Sequence, residues 1–557
     1  MRFRHVLAAP LVAMLVATGC SGAANTGETN TDQLAAADTG TRDRGELATG
    51  GELRLAVDEF GSLNPMGATN TAELAQLEQV FLPQFFRYDA AGVATPNPNF
   101  LVSAEETSAN PTRVTLKLNP KAIWADGQKI SAQDVIATWR ACNGKAAGFQ
   151  CAEDLEFKQI TNATAGANDS EVRLEFAAAY PQWRSIFDRV SVLRAESVAD
   201  AAVFNDGWTT IKPEWTAGAF TVPKHDPAVK AIVAMPNEKF WGNEVPLLAR
   251  VTILEIPREN QVKAFTDAEI DAVDLAGSKE FFDAARAVPE HAIRRAGSSL
   301  TRQLVFNTTS TGAVAESEVR QAIAVALDRS GVGTAAMPGI NFTAAPLGNR
   351  IFVPGQQGYA DNAETLKLTR DLGQAKKLLN DAGWKDEDGT RVKDGRPLEV
   401  KLVQIQGLAT SENEARAIAE QLAEVGIRAT ITDTSLENFD NGSVLSGGDF
   451  DMIVIGIDGG RQPLETLDLR YGSGADQNYA RLESPEIDEL IKSIGREADP
   501  QQRLDLANQL DTKLWEQMPT VPLYQQPQTV ATSVRLANYG APGLSSVIWE
   551  NIGYVKP

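Results

Sequence analysis

Histidine, cysteine and carboxylate side chains are the groups in this sequence that could carry out catalysis or bind a metal. The 557 residues include three histidines, His5, His225 and His291, three cysteines and 73 acidic residues. Two isolated histidines beyond the first twenty residues cannot make a His-rich zinc site, and no HExxH pattern occurs. A Ser-His-Asp triad would need His225 or His291, yet the sequence has no GxSxG nucleophile elbow and no phosphate-binding glycine loop. We therefore expect no enzyme, no metal and no cofactor.

The first cysteine follows a segment with the composition of an export signal. Arg2 and Arg4 precede an apolar run, Val6 to Val16, that is too short to cross a bilayer as a stable helix. The sequence Ala17-Thr18-Gly19-Cys20 resembles a bacterial lipobox, in which the cysteine is acylated and becomes the mature N-terminus. We expect residues 1–20 to be a lipoprotein signal peptide with Cys20 as the lipidation site. An ordinary signal peptide with an incidental cysteine is the alternative.

The other two cysteines, Cys142 and Cys151, close a short loop. Export places them in an oxidising compartment, where a disulfide is favoured over two buried thiols. Either state indicates a structural role for this pair.

Charge and composition limit the partners. The chain carries 52 basic and 73 acidic residues, a net charge of −21. Such a surface repels phosphate backbones, so we expect no nucleic-acid partner. Residues 21–50 are rich in Ala, Thr, Gly, Asn and Asp and show no apolar periodicity, which predicts a disordered tether. A flexible segment of that length would span on the order of 30 Å.

Regular elements begin at Gly51. Alternating apolar residues predict a strand at Leu53–Val57. A strand starting at Leu398, a helix over 412–425, a strand over 427–432 and a buried strand over 452–457 follow one another as an α/β unit. The length of the chain predicts two or three α/β lobes rather than one core.

Several short motifs together resemble a known family. Their order and spacing are similar to those of the family 5 extracellular solute-binding proteins, which serve peptide, oligopeptide and nickel ABC importers. The matching motifs are Leu63-Asn64-Pro65, Phe85-Phe86-Arg87-Tyr88-Asp89, Trp124-Ala125-Asp126-Gly127 through Asp134-Val135, Phe240-Trp241, Phe306-Asn307-Thr308, Val319-Arg320-Gln321-Ala322, Leu327-Asp328-Arg329, Ala382-Gly383-Trp384 and Ser484-Pro485-Glu486-Ile487-Asp488. They cover roughly residues 50–550.

The resemblance implies the α/β fold of the type II periplasmic binding proteins, in its large cluster C form. Two main lobes would surround a cleft, and a third lobe would support one of them. The implied boundaries are residues 51–87, 195–305 and 523–557 for the first lobe, 88–194 for the supporting lobe and 306–522 for the third lobe. The loop between Cys142 and Cys151 would lie in the supporting lobe, away from the cleft.

The resemblance also implies where a ligand would bind. In peptide-binding members the ligand backbone pairs with exposed strand edges on both sides of the cleft. One edge corresponds here to Ala68, Thr69, Asn70 and Thr71, and the other to Gly456, Ile457 and Asp458. Glycine at 456 would allow another backbone to approach closely.

One departure from the family pattern bears on the ligand. Peptide binders commonly carry a tryptophan and, three residues later, an aspartate that holds the ligand's amino group. Ile457 and Gly460 stand at those positions, so Asp458 is the candidate to replace the aspartate. The scarcity of histidine disfavours a nickel ligand.

The expected function is the capture of an oligopeptide or similar polar solute for an ABC importer. The protein would act as a monomer, tethered by its lipid to the extracytoplasmic face of the bacterial membrane. Lobe closure would present the loaded form to the permease. The alternative keeps the fold but not transport: the LpqW-like lipoproteins of mycobacteria resemble this family and regulate lipoglycan synthesis. A cleft blocked by the protein's own loops would favour that alternative.

Overall fold

The structure is a computed structural model that describes residues 34–152 and 155–557. The predicted signal peptide, residues 1–20, and the lipidation site Cys20 lie outside the described residues. The strands, in chain order, are β1 Leu47–Ala48, β2 Glu52–Val57, β3 Phe86–Tyr88, β4 Ala94–Pro96, β5 Leu101–Ala109, β6 Thr112–Leu118, β7 Ile160–Ala165, β8 Glu171–Phe176, β9 Phe220–Thr221, β10 Ala231–Pro236, β11 Arg250–Glu255, β12 Ala272–Asp274, β13 His291–Phe306, β14 Lys385–Glu387, β15 Thr390–Lys393, β16 Arg396–Pro397, β17 Glu399–Ile405, β18 Arg428–Thr434, β19 Met452–Asp458, β20 Thr520–Ser533, β21 Leu536–Ala537 and β22 Gly553–Val555.

The helices complete the architecture. In chain order they are α1 Ala72–Glu78, α2 Ala132–Cys142, α3 Ala201–Asp206, α4 Arg258–Thr266, α5 Lys279–Arg286, α6 Ser317–Ala326, α7 Arg329–Ala336, α8 Asn362–Thr365, α9 Leu372–Asp381, α10 Ala409–Ala423, α11 Leu436–Asp440, α12 Ser443–Gly447, α13 Leu467–Tyr471, α14 Pro485–Arg496 and α15 Pro500–Gln517. Within 34–152 and 155–557, none of these helices is long and apolar enough to cross a membrane.

A six-stranded sheet with the order β12-β20-β13-β19-β17-β18 dominates one side of the molecule. β17 pairs in parallel with β18 and with β19, and α10 forms the crossover from β17 to β18. Parallel neighbours need such a crossover, which explains the strand-helix-strand pattern in the sequence. The α/β unit predicted over 398–457 is therefore confirmed.

Two large apolar cores hold the molecule together. The first joins the sheets β2-β11-β10-β9 and β5-β6-β8-β7 with α2. The second packs α6, α7, α9 and α10 against one face of the six-stranded sheet. The first core runs without a break from the predicted first lobe into the predicted supporting lobe, and buried residues between 262 and 285 belong to the second core. The predicted lobe boundaries stay a prediction.

The longest strands, β13 and β20, connect these regions as an antiparallel pair. Their register shifts between Gly297 and Thr301, opposite Pro527 and Gln525. The irregular stretch breaks the ladder in the middle of both strands, where a bulge lets a strand bend.

Residues 34–50 are not the tether that their composition predicts. Leu47 is buried, and β1 pairs with β22 at the C-terminal end of the chain. Asp38 forms a bridge with Ala541, and its carboxylate accepts a hydrogen bond from the backbone N–H of Arg295, 2.9 Å from the nitrogen. The prediction of disorder over 21–50 is wrong for this part because the partners come from strands about 250 and 500 residues further along the chain.

Candidate ligand-binding site

A cavity of about 620 Å³ lies between the two large cores. We call it the cleft cavity. The lining residues are Ala72, Ala75, Gln76 and Gln79 of the α1 region, Asp188, Arg189, Arg258, Asp274 and Ala276, Ser298, Ser299 and Leu300 of β13, Asp458, Gly460 and Arg461 around the end of β19, Gln526, Pro527 and Gln528 of β20, and Gly543 and Leu544. The register shift in the β13–β20 pair therefore forms part of the cavity wall. Binding sites of this size commonly lie between structural bodies.

Charge in the cleft cavity is balanced. Three arginines, Arg189, Arg258 and Arg461, line it together with three aspartates, Asp188, Asp274 and Asp458. Four glutamines and two serines add further polar groups to the wall, and the rest of it consists of Ala, Gly, Leu and Pro residues. A lining of this kind suits a polar ligand that carries hydrogen-bond donors and acceptors along its length.

The arginines differ in how much of their hydrogen-bonding capacity remains for a ligand. Arg189 donates to the carbonyls of Pro65 and Asn70. Arg461 donates to the carbonyl of Leu544 at 2.8 Å and lies over the ring of Tyr88. Both guanidinium groups therefore hold the wall of the cavity in place.

Arg258 differs from the other two arginines because its guanidinium N–H groups remain able to donate hydrogen bonds. In the described part of the chain its guanidinium makes two long ion pairs, at 3.9 Å to Glu73 and 4.0 Å to Asp274. Neither distance is that of a hydrogen bond. Its N–H groups can therefore donate to a ligand.

The end of β19 provides the first of the two predicted binding segments. β19 pairs with β13 over its whole length, from Met452 opposite Phe306 to Asp458 opposite Leu300. Its other edge pairs with β17 only at Met452 and Ile453. Within the described residues, the second edge of Val454–Asp458 therefore has no neighbouring strand, and an extended ligand could add to it.

Gly456, Ile457 and Asp458 border a second cavity at this edge. It has a volume of about 240 Å³ and shares Asp458 with the cleft cavity. Tyr471, Tyr479 and Ile455 give it an apolar side. Asp458 accepts a hydrogen bond at Oδ1 from the Gly460 N–H, and Arg470 donates to its carbonyl oxygen. The second carboxylate oxygen of Asp458 makes no hydrogen bond to any described residue.

The other predicted segment, 68–71, is not a free strand edge. The Ala68 N–H donates to the carbonyl of Gln150, 2.9 Å from the nitrogen, and the carbonyl of Thr69 accepts from Ser62. Asn70 is buried and donates through Nδ2 to the carbonyl of Ser62 at 2.8 Å and to the carboxylate of Glu78 at 3.1 Å. Its polar groups are occupied by the protein itself.

Thr71 begins the helix that does line the cavity. Its Oγ1 accepts a hydrogen bond from the Leu74 N–H of α1 at 3.1 Å, which makes it the N-cap. Thr69, Asn70 and Thr71 do not line the cleft cavity, whereas Ala72, Ala75 and Gln76 of α1 do. The predicted segment therefore adjoins the cavity wall, and its role in ligand binding stays a prediction.

The disulfide lies beside this segment. Cys142 and Cys151 are bonded, with their Cα atoms 5.8 Å apart. Cys151 forms a β-bridge with Gly67, and Ala152 donates to the carbonyl of Met66. The loop packs against the residues that precede α1, and none of its residues lines the cleft cavity.

A cluster of protonatable groups includes Asp188 of the cavity wall. Tyr88 donates to Asp188, and burial raises the pKa of Asp188 to about 6. Burial also raises the pKa of Glu465 to about 8, with the carboxylates of Asp188 and Glu156 adding to the shift. One oxygen of Glu465 is buried without a hydrogen-bond partner among the described residues. Because Glu465 follows β19 and Asp188 belongs to the first core's side, the cluster joins the two sides of the cavity.

Sequence reasoning missed the charged residues that line the cavity. Arg189, Arg258, Arg461 and Asp188 carry no local signal, because each lies in a loop or at a helix end without periodicity. Only the three-dimensional contact between distant parts of the chain singles them out. Over the part of the chain that the structure describes, no group of three or more His, Cys, Asp and Glu residues is placed to hold a metal ion.

Comparison with known proteins identifies the family. The profile of the bacterial extracellular solute-binding proteins, family 5, matches residues 95–479. The oligopeptide-binding protein OppA of Mycobacterium tuberculosis is 31% identical over 559 aligned positions, covering 99% of this chain and 93% of OppA. The chain belongs to family 5 of the extracellular solute-binding proteins.

More distant similarities extend to proteins with other names and ligands. The probable monoacyl phosphatidylinositol tetramannoside-binding protein LpqW of Mycobacterium tuberculosis is 24% identical, covering 68% of this chain and 64% of LpqW. Among solved structures, the periplasmic EDTA-binding protein EppA aligns with a TM-score of 0.78 at 21% identity, covering 93% of this chain and 98% of EppA. AppA of Bacillus subtilis, solved with a nonapeptide, aligns with a TM-score of 0.66 at 19% identity, covering 92% of this chain and all of AppA. The predicted type II periplasmic-binding-protein fold is confirmed.

Proposed function

We propose that this family 5 member captures an oligopeptide, or a similar polar solute, and delivers it to an ABC importer. The observation that carries the proposal is a charge-balanced cavity of about 620 Å³ beside a strand edge that has no neighbouring strand among the described residues. A peptide has alternating backbone donors and acceptors that match such an edge. The likeness to OppA over nearly the whole chain supports the same ligand class.

The binding mode follows from the position of the cavity. Gly456 would pair with the peptide backbone, Ile457 would contact the peptide beside it, and the free carboxylate oxygen of Asp458 would accept from the peptide's amino terminus. The irregular stretch of β13 and β20 would serve as the hinge, because it crosses between the two cores where the ladder is interrupted. Closure would bury the ligand and create the surface that the permease recognises.

Anchoring and location follow from the N-terminal sequence. Acylation of Cys20 would hold the protein, as a monomer, at the extracytoplasmic face of the cell membrane. The proposal needs no nucleic-acid partner, metal or cofactor. The peptide itself and the permease subunits are the expected partners.

A panel of di- to pentapeptides tests the proposal directly. A peptide that binds the native state raises the melting temperature by linkage, and above Kd the stabilisation grows with the logarithm of the peptide concentration. We expect a rise with at least some tri- to pentapeptides at millimolar concentration. The absence of any rise across the panel would contradict peptide capture.

The LpqW relatives favour a second candidate, a regulator of envelope lipoglycan synthesis without a transport role. The regulatory hypothesis predicts a cleft that is closed by the protein's own loops, whereas the cleft cavity has room for a ligand. Loss of peptide uptake in a deletion strain would support transport. Unchanged uptake together with altered lipoglycans would support regulation.

A further inference from the structure

Residues 34–43 run beside β13, and we call this segment the strap. The carbonyl of Ala35 accepts a hydrogen bond from the Gly297 N–H, with 2.9 Å between oxygen and nitrogen. The carboxylate of Asp38 accepts one from the Arg295 N–H, also at 2.9 Å. Gly297 borders the register shift of the β13–β20 pair. The strap therefore bonds directly to the stretch that we propose as the hinge.

The strap also forms a short ladder with the chain that follows β21. The Asp38 N–H donates to the carbonyl of Ala541 at 2.7 Å, and the Ala541 N–H donates back to the carbonyl of Asp38 at 2.9 Å. The Tyr539 N–H donates to the carbonyl of Thr39 at 3.1 Å. Residues 539–541 are thereby fixed to the strap through their backbone.

The chain held in this way soon becomes part of the cleft wall. Gly543 and Leu544 line the cleft cavity, and the carbonyl of Leu544 accepts from Nε of Arg461 at 2.8 Å. Arg461 follows β19 on the second core's side, whereas Ala541 belongs to the first core. A contact across the cleft thus depends on the stretch of chain that the strap holds.

Two packing contacts place the strap against both sides of the hinge. Leu34 packs against the second core. Ala36 lies so near the cleft wall that a Cβ atom on Gly543 would stand 2.1 Å from the Ala36 carbonyl oxygen. Gly543 also has a φ of +59°, a conformation that favours glycine. The docked strap therefore touches the second core and the wall segment of the first core at the same time.

The strap is held more by hydrogen bonds than by buried apolar area. Ala35, Ala36 and Ala37 are exposed, and Leu34 is half-buried. A surface segment of this kind can detach at a free-energy cost well below that of global unfolding. It therefore has two accessible states, docked and released.

We propose that the strap is a brace for the hinge: when docked, it holds the two cores in the arrangement that forms the cleft cavity, so strap docking and ligand binding stabilise each other. This inference rests on the proposed function and adds a conformational device to it. No residue of the strap lines the cleft cavity, so the coupling runs through Gly297 and residues 541–544. Coupling between two equilibria is reciprocal, so each can be measured through the other.

The variant Asp38→Ala removes the acceptor of the Arg295 N–H. We expect it to weaken binding of the tightest peptide in the di- to pentapeptide panel about fivefold, measured by calorimetric titration of the full chain. Asp386→Ala is the matched control, because Asp386 also accepts a backbone N–H, that of Gly389, at 2.9 Å, and is exposed outside the cleft cavity. The control should bind the peptide as the unmodified chain does.

Hydrogen exchange followed by mass spectrometry tests the coupling in the other direction. Saturating the unmodified chain with the same peptide should slow exchange of the fragment that contains the strap by about fivefold or more, although the strap does not line the cavity. The fragment 385–397 is the control and should exchange at the same rate with and without peptide.

A pair of spin labels measures the arrangement of the two sides without any ligand. Val102→Cys and Leu436→Cys provide the attachment points, because both residues are exposed and lie in β5 and α11. One distance between the labels should dominate in the otherwise unmodified chain. Asp38→Ala should raise the population of a second distance about fivefold.

The outcomes separate the inference from the function beneath it. An unchanged affinity in Asp38→Ala, with strap exchange unaffected by peptide, would overturn the brace while leaving peptide capture in place. An equal loss of affinity in Asp38→Ala and Asp386→Ala would do the same. If no peptide binds, the proposed function fails, and an unchanged distance between the labels would then overturn the brace as well. If Asp38→Ala does not fold, strap exchange in the unmodified chain decides.

Discussion

The two segments expected to hold a ligand, 68–71 and 456–458, look alike in sequence but differ in the structure. Both are short, uncharged or nearly so, and each adjoins a regular element. The backbone and side-chain polar groups of segment 68–71 form hydrogen bonds with Gln150, Ser62 and Glu78. Segment 456–458 has one edge paired with β13 and, among the described residues, no strand paired with the other edge. A strand edge can therefore bind a ligand only where its backbone groups have no partner strand in the protein itself.

The largest effect that distinguishes the segments is expected from Asn70→Ala. The change removes the donor to the buried carboxylate of Glu78, whose pKa burial already raises well above the ordinary value. It also removes a contact that fixes Arg189. We expect the free energy of unfolding to fall by about 2–4 kcal/mol.

Urea denaturation followed by circular dichroism measures this loss. Thr69→Ala is the matched control because Thr69 is exposed, and its effect should stay within about 0.5 kcal/mol. Similar small effects for both variants would show that Asn70 is not the internal support that its hydrogen bonds indicate.

The next effect, on the other segment, concerns affinity and not stability. Asp458→Asn keeps an oxygen for the Gly460 N–H but removes the negative charge. We expect affinity for peptides with a free amino terminus to fall about 10- to 100-fold, because a charge-assisted hydrogen bond becomes a neutral one. The free energy of unfolding should not change.

Titration calorimetry with free and N-acetylated forms of one peptide checks this. The acetylated form lacks the ammonium group, so its affinity should be the same for both proteins. A loss of equal size for both forms would place the amino terminus elsewhere.

These two segments also show how far the sequence can predict this structure. The strand at 452–458 and the helix at 409–423 follow from apolar periodicity, which is a local property. The family motifs located the region of the cleft, since α1 begins directly after segment 68–71. Whether the residues before or after Thr71 line the cavity depends on contacts with Gln150 and Glu78. Such contacts between distant residues leave no local pattern in the sequence.

The same limit explains why sequence reasoning missed the charged residues of the cavity and predicted a disordered tether over residues that are ordered. Arg258 has spare donors only because Glu73 and Asp274 lie about 4 Å away, a fact of three-dimensional placement. Residues 34–50 are ordered because β22, at the far end of the chain, supplies a partner strand. Composition describes a segment by itself, whereas order here depends on a partner hundreds of residues away.

A third prediction sharpens the comparison through pH. Glu465 follows the free-edged strand, and burial raises its pKa to about 8. A carboxyl group with a raised pKa in the folded state stabilises the fold at low pH, and this stability is lost as pH rises towards that pKa. Between about pH 5 and pH 8 the free energy of unfolding should therefore decline by about 3 kcal/mol through this group.

Glu465→Gln should remove that decline, because the amide stays neutral at every pH. Melting temperatures of the two proteins should agree near pH 5 and diverge at pH 8, where the variant melts higher. Glu483→Gln, at an exposed position, is the control and should follow the unmodified chain. If the melting temperature of Glu465→Gln and that of the unmodified chain change with pH in the same way, the pKa of Glu465 is not raised by burial.

The smallest expected effect separates capping from binding at Thr71. Thr71→Ala removes the side-chain oxygen that accepts from the Leu74 N–H, so the free energy of unfolding should fall by about 1 kcal/mol. Thr71→Ser keeps that oxygen and should restore most of the loss. Peptide affinity, measured by titration calorimetry, should stay within about twofold of the unmodified chain in both variants, since the hydroxyl is used within the protein. If affinity falls strongly in Thr71→Ala while stability does not change, the hydroxyl contacts the ligand, and segment 68–71 is a binding edge after all.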